Sequence, residues 1–405
     1  MANEIIERKE RESLFLKNLF GAFYLRQSPV PSEVSSREFG FGNVKKIDFR
    51  HKAFSSAGEL QNYLARDAPL FASYSIARYR FPAGRPMEKK EPQGYDLVFD
   101  LDASPAHEGH NKVLCQHCIE QTQKDATRLL EDFLLSDFGF SRSEVGVNFS
   151  GSKGFHFHVE TKAVQELPQA QRVQLIEYIA PVNFDAKKVL VEHGHTKNAQ
   201  FMDVRRTQLL GPSPLALGWH KKIFAGVIET FSLEPLAFLA LLKSIGYSGK
   251  EASLILENKD EILRKINSAR TDDGRFSVWD SFPRPELVFQ RIVREKSVIA
   301  GGQNTAAVPT DRAVTYDLSR LIRLPDSIHG DTGLLAKKTS NLGEFDAQKD
   351  ALAFSMKQKV SILPKDKGKV LLGDEEFEFF ENEEFDAPEA LAVLLLCKNA
   401  AVLKE

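Results

Sequence analysis

Tyr95-Asp96-Leu97-Val98-Phe99-Asp100-Leu101-Asp102 ends on two acids one residue apart, after an apolar run of Leu, Val and Phe. β-Branched and aromatic residues in such a run predict a strand. Residues two apart on a strand share a face. Asp100 and Asp102 are therefore expected side by side, with backbones roughly 7 Å apart by strand rise. Without cations, two such neighbours raise each other's pKa. Divalent metal relieves that repulsion, and two hard cations held by carboxylates are what nucleotidyl transfer uses. A solvated strand end is the competing reading of an Asp-x-Asp taken alone.

The chain has 405 residues, enough to bury a full core in one large domain with subdomains or in two domains. Its 42% hydrophobic and 27% charged residues are those of an ordinary globular protein, and Phe dominates the aromatics with 30 residues against 2 Trp. The formal net charge of −2 carries no global basic signature, so any nucleic-acid surface has to be a local patch. Three cysteines argue against a secreted disulfide framework and for a reducing compartment. Met1 to Glu12 is charged and lacks an apolar signal core. The longest apolar stretches, Pro235–Leu242 and Leu391–Cys397, are too short to span a bilayer and read as buried helices. A soluble intracellular protein is expected.

Periodicity predicts an amphipathic helix over 3–25, with Leu14, Phe15, Leu19 and Phe20 at helical spacing. Further along, it predicts a strand over Val44–Phe49, a helix from Ser56 to Arg66 and a strand over Ser73–Tyr79. After the Asp100/Asp102 strand come a polar His/Cys loop and a helix from Glu120 to Phe138. Val145–Phe149 and Phe155–Glu160 read as strands around the turn Ser150-Gly151-Ser152-Lys153-Gly154. From Pro168 to Lys296 the pattern is mostly helical, interrupted at Gly211–Gly218. Ile299–Asp311 is loop-like, and the acidic tail ends in an apolar helix. Strands and helices without βαβ regularity predict an α+β fold.

Three constellations carry chemistry. His107-Glu-Gly-His110 is followed by Cys115-Gln-His117-Cys118. Cys-x2-Cys is a half-site for zinc, and His107 and His110 can complete a tetrahedral set with Cys115 and Cys118. His117 competes as a ligand, although its place between the two cysteines aims it away. A reactive or merely surface pair of cysteines is the alternative; a closed four-ligand site is structural. The second constellation is Ser150-Gly151-Ser152-Lys153-Gly154-Phe155-His156-Phe157-His158. Its Gly turn lets backbone N–H groups approach a phosphate, and Lys153 adds positive charge. His156 and His158 share one strand face, Phe155 and Phe157 the other. Read blandly, this is a hairpin with two surface histidines. The third comprises Asp311-Arg-Ala-Val-Thr315, then Arg320-Leu-Ile-Arg323 and His329 in a Gly/Pro-bounded stretch. It adds one more carboxylate, together with Arg and His groups that suit a triphosphate. Taken singly, each of these charges reads as a solvated surface residue.

In this order the segments resemble the small catalytic subunit of the archaeal and eukaryotic DNA primase, the archaeal form most closely. Leu97–Ala103 matches that family's metal-binding strand, and Ser150–His156 its Ser-Gly-x-x-Gly-x-His turn. Val314-Thr315 with Arg320–Leu334 matches its third motif, and Arg37-Glu38-Phe39 with Arg50 an N-terminal one. The resemblance runs from about residue 35 to 340. It implies a mixed-sheet primase catalytic domain over 1–340, with a zinc-binding loop at 103–120 and a mostly helical region at about 168–296. Residues 341–405 are then a C-terminal extension packing on the core.

By that resemblance Asp100, Asp102 and Asp311 bind two catalytic Mg2+ or Mn2+ ions. Ser150, Lys153, His156, Arg323, His329 and Arg50 hold the triphosphate of the incoming nucleotide. His107, His110, Cys115 and Cys118 hold a structural Zn2+; the family's own ligands there are Cys-rich, which leaves the His ligands open. The implied activity is template-directed synthesis of short RNA primers from NTPs on single-stranded DNA, with dNTP use by some archaeal members. The implied partner is a large primase subunit in a heterodimer, with no membrane involved. The location follows as the cytoplasm, at the replication fork of an archaeon, or the nucleus in a eukaryote. Two other readings stand beside it: a stand-alone primase-polymerase or end-joining repair polymerase of the same superfamily, and a non-catalytic zinc-containing nucleic-acid binding module.

Overall fold

The computed structural model describes residues 2–103, 107–181, 184–199, 202–268, 271, 274–297 and 315–404. Helices and antiparallel sheets are mixed along the chain, as the α+β expectation requires. Two compact units form, Met1–Ile176 with Ile299–Glu405, and Glu177–Val298. Among the described residues no helix is long and apolar enough to cross a membrane.

Two sheets of the first unit position the chemistry. One runs in the order Leu97–Leu101, Phe155–Val159, Val145–Phe149, all antiparallel. The register sets Asp100 opposite His156 and His156 opposite Asn148. Strand alternation sends Phe155 to the opposite face, where its ring centroid lies 5.6 Å from Phe149 and 5.9 Å from Phe345. Burying each Phe contributes about 2–3 kcal/mol, which holds the register. The other sheet runs Leu321–Arg323, Phe71–Ser75, Phe39–Gly42, Phe49–Lys52.

Several predicted boundaries move, each for a local reason. The strand expected over Val44–Phe49 is a turn. Asp48 accepts backbone hydrogen bonds from Asn43 at 2.6 Å, Val44 at 2.8 Å and Lys45 at 3.1 Å. A carboxylate that satisfies three successive N–H groups replaces the ladder those groups would need in a strand. The strands fall on either side of it, and Val44 stands 87% exposed. The Ser73–Tyr79 strand divides at Ile76 between two sheets, Phe71–Ser75 in one and Ala77–Tyr79 with Pro92–Tyr95 in another. The Ser56 helix forms as expected over Ala57–Asp67, capped by Ser56 Oγ and ended by Ala68 at φ 41. The helix expected from Glu120 starts earlier, at Gln116, and passes at Arg128 into a π-helical stretch over Leu129–Leu135. The tail carries strands as well as its apolar helix, Glu389–Cys397, which is buried along most of its length.

The second unit is built on five α-helices among its described residues and a core around Trp279, which is fully buried and donates from its indole to the Pro212 carbonyl at 2.9 Å. It is not helical throughout. Val191–Ala199 and Met202–Pro212 form a long antiparallel hairpin, extended by Phe276–Val278.

Candidate active site

The two sheets and the Asp48 turn enclose a cavity of about 600 Å³. It gathers eight predicted site residues, Arg50, Asp100, Asp102, Ser150, Lys153, His156, Arg323 and His329, with Arg320 of the third constellation and three that prediction passed over, Lys46, Asp317 and Asp331. Asp311 lies outside the described residues.

Two glycines in the Ser150–Gly154 turn draw the motifs together. A Cβ on Gly154 would stand 2.3 Å from Leu101 O and 2.4 Å from Asp102 Oδ1. Gly151 has φ +86 and would place a Cβ 2.6 Å from His329 Cβ. The turn therefore presses its backbone against the Asp-x-Asp end on one side and against His329 on the other, an approach open only to glycine. Ser150 closes it: its N–H donates to Gly154 O at 2.8 Å, and its Oγ accepts from Gly154 N at 3.0 Å. Thr332 Oγ1 donates to the Gly151 carbonyl and ties the third motif to this turn.

Asp100 sits on the strand, and Asp102 falls just past its end. Burial would raise Asp100, but His156 Nε2 at 3.4 Å from its Oδ1, with Lys46 and Arg323, holds it below the ordinary carboxylate value. Asp102 goes the other way, raised by burial and by the Asp100 charge beside it. Asp100 Oδ1 is buried with no hydrogen-bond partner, and so is Arg323 Nη1 in the same cavity. A native fold seldom leaves such atoms unpaired unless a ligand completes them. Here one is an anionic acceptor suited to a divalent cation, the other a cationic donor suited to an anion. The carboxylate pair and the orphaned oxygen fit metal binding at Asp100 and Asp102.

The histidines are not surface residues, as the bland reading had them. His156 is 5% exposed, His158 6% and His329 5%. His329 Nδ1 accepts from Asp331 N at 3.2 Å, which leaves its ring proton on Nε2. Burial, then the Arg323 charge, lowers His329 well below the usual histidine range, so it is neutral. Burial likewise pushes Arg323 down to about 10, still charged at neutral pH. Arg50 borders the cavity, but its guanidinium is engaged by Glu38, Nε to Oε1 at 2.7 Å, and by Ser319 O at 3.0 Å. Glu38, fully buried, also receives His51 N–H and lies 3.4 Å from Lys90 Nζ.

A separate cluster forms in the 107–118 loop, where one ligand atom each from His107, His110, Cys115 and Cys118 lies within 4.8 Å of the others. His107 Nε2 is 3.3 Å from Cys115 Sγ, 3.2 Å from Cys118 Sγ and 3.4 Å from His110 Nδ1; His110 Nδ1 is 3.5 Å from Cys118 Sγ. Tetrahedral zinc with ordinary bond lengths separates its N and S ligands by about 3.4–3.8 Å. The four atoms are gathered at or slightly inside those separations and could hold a metal ion. His117 stays outside the set, although its ring is 4.7 Å from that of His107.

Residues 99–339 match the family model for the DNA primase small subunit. The chain is 31% identical to the DNA primase small subunit PriS of Methanothrix thermoacetophila, over 97% of this chain and 99% of that one. It is 30% identical to PriS of Methanococcoides burtonii, over 96% and 97%. It is also 30% identical to PriS of Methanosarcina barkeri, over 96% of each chain. With the motif order and the cavity they converge on, these matches make the chain a member of the DNA primase small subunit family, of the archaeal type.

Proposed function

We propose that this protein is the catalytic subunit of a DNA primase, joining NTPs into short RNA primers on a single-stranded DNA template. One observation carries the reading: the carboxylates Asp100 and Asp102 share a 600 Å³ cavity with Lys153, His156, Arg323 and His329. Acids for cations and donors for phosphates are the two halves of a phosphoryl-transfer site.

Asp100 and Asp102, with Asp311, hold Mg2+ or Mn2+, which supplies activation of the 3′-hydroxyl and charge neutralisation at the departing pyrophosphate. Arg323 offers the triphosphate its unpartnered Nη1, Lys153 a second positive charge, and His329 an Nε2–H that needs no protonation. Ser150 shapes the turn whose backbone meets the phosphates. Arg50, locked to Glu38 and to the Ser319 carbonyl, braces the segment that carries Arg320 and Arg323. The cavity's basic residues form the local patch that a net charge of −2 would hide, and they suit backbone contacts to template with little sequence preference. Zn2+ held by His107, His110, Cys115 and Cys118 has a structural role, since four protein ligands leave no open position. A large primase subunit is the partner in a heterodimer, and the archaeal relatives support a place at a cytoplasmic replication fork.

The test is synthesis on unprimed and primed single-stranded DNA with ribo- and deoxynucleotides, with and without a large subunit. Template-dependent products of short length, aided in initiation by the large subunit, are expected. Template binding with no incorporation under any combination would contradict the proposal.

A further inference from the structure

The strands Val145–Phe149 and Phe155–Val159 bring Asn148, His156 and His158 together, 1%, 5% and 6% exposed. Buried polar groups have to satisfy one another. In this group the direction of every hydrogen bond follows from one carbonyl. Asn148 Nδ2 lies 2.8 Å from Phe149 O. A backbone carbonyl only accepts, so the amide nitrogen faces it and the amide cannot be reversed. That orientation turns Asn148 Oδ1 to His158 Nε2 at 3.0 Å and offers the second Nδ2 hydrogen to His156 Nδ1 at 3.4 Å. His158 then carries its proton on Nε2, and its bare Nδ1 receives the Tyr74 hydroxyl at 3.2 Å. Burial pushes His158 down to about 3, so it stays neutral in this role. His156 Nδ1 has to be bare to accept from Asn148, which places the His156 proton on Nε2. That nitrogen is the one 3.4 Å from Asp100 Oδ1.

We infer that Asn148 is a positioning residue: held by the Phe149 carbonyl and His158, it fixes His156 as the Nε2–H tautomer and so aims one donor at the Asp100 cavity. Neither the Asp-x-Asp motif nor the Ser150–His156 turn contains Asn148, His158 or Tyr74. The row Tyr74, His158, Asn148, His156 supports the reactive histidine in the way that outer partners fix the tautomer of a metal-bound one. A ring held in this state donates to a phosphate oxygen without first gaining a proton. The consequence for nucleotide binding rests on the proposed primase reading, whereas the tautomer itself does not.

The experiment labels the full chain with 15N-histidine and reads the imidazole protonation pattern by long-range proton–nitrogen correlation, with His156 assigned through His156→Gln. Wild-type His156 and His158 are both expected as Nε2–H. Asn148→Asp has no N–H to give His156 Nδ1 and offers it a carboxylate acceptor instead, so the single ring proton of His156 is expected to move to Nδ1 and leave Nε2 bare. The KM for NTP is expected to rise roughly tenfold, the loss of one good hydrogen bond to an ion, with kcat altered less than about threefold. A wild-type His156 protonated on Nδ1 overturns the inference whether or not the variant folds, as does an Asn148→Asp protein whose tautomer and KM are unchanged. A wild-type protein with the expected tautomers but no incorporation would instead count against the primase reading alone.

Discussion

At the scale of single residues, the site depends on atoms that are missing as much as on those present. Gly154 has no side chain because Leu101 O and Asp102 Oδ1 occupy the place where its Cβ would go. Gly154→Ala is therefore expected to displace Asp102 and the Leu101 carbonyl from their places beside the turn. It should cost on the order of 1–3 kcal/mol of stability, as overpacking does. Incorporation should fall at least about tenfold, since a displacement of an ångström or so in a reactive group is costly. Thermal unfolding and primer extension on the same preparation check this; a variant matching wild type in both would contradict the close approach. Asp100 and Arg323 make the complementary point. Each leaves one buried polar atom unpaired in the cavity. Nucleotide with divalent metal should therefore raise the melting temperature of wild type, and Arg323→Ala should lose most of that gain while keeping its unliganded stability within about 1 kcal/mol.

Element by element, the legible parts of the sequence were those whose pattern and packing agree. Leu97–Leu101, Val145–Phe149 and Phe155–Val159 read correctly because their apolar residues are packed on a sheet face. The Ser56 helix read correctly because its cap is local. Phe39–Gly42 was passed over because two glycines in four residues look like a turn; Gly40 is needed where Leu321 Cδ1 would stand 2.5 Å from a Cβ. The Val191–Pro212 hairpin was invisible because its strands are rich in His, Lys, Asn, Arg and Thr, without an apolar alternation to announce them. Asn148 gave no signal, because its role comes from cross-strand register rather than sequence spacing. The Gln116–Arg128 helix supplies a pH test. Burial pushes Asp125 up to about 6, with Arg128 at 3.2 Å pulling it partly back. A carboxyl raised in the folded state contributes fully below its unfolded pKa of about 4, and that contribution is lost as pH rises through about 6. Asp125→Asn should then be more stable than wild type at pH 7–8 by on the order of 1–2 kcal/mol, with the gain disappearing near pH 4. Denaturant melts at both pH values measure it; an equal gain at pH 4 would contradict the burial argument.

For the whole molecule, the resemblance seen in four short motifs extends to nearly the full chain, 31% identity over 97% of its residues with one archaeal relative. What the motifs could not supply is how they meet: a turn without side chains at its two contact points, an acidic strand end and an Arg/His segment enclosing one cavity. The His107–Cys118 cluster lies apart from that cavity's lining and makes a separate prediction. Elemental analysis should find about one zinc per chain, and Cys118→Ser should lower both zinc content and melting temperature; carefully prepared protein without zinc would refute the site. The central claim is that Asp100 and Asp102 are the acids of a nucleotidyl-transfer centre. Its most direct measurement is extension of a primed single-stranded template by wild type, Asp100→Ala and Asp102→Ala, each first matched to wild type by circular dichroism. The account predicts extension by wild type and a loss of at least about a thousandfold in either variant, the scale of several kcal/mol of charge stabilisation. Extension by a correctly folded Asp100→Ala or Asp102→Ala protein within about threefold of wild type would contradict it.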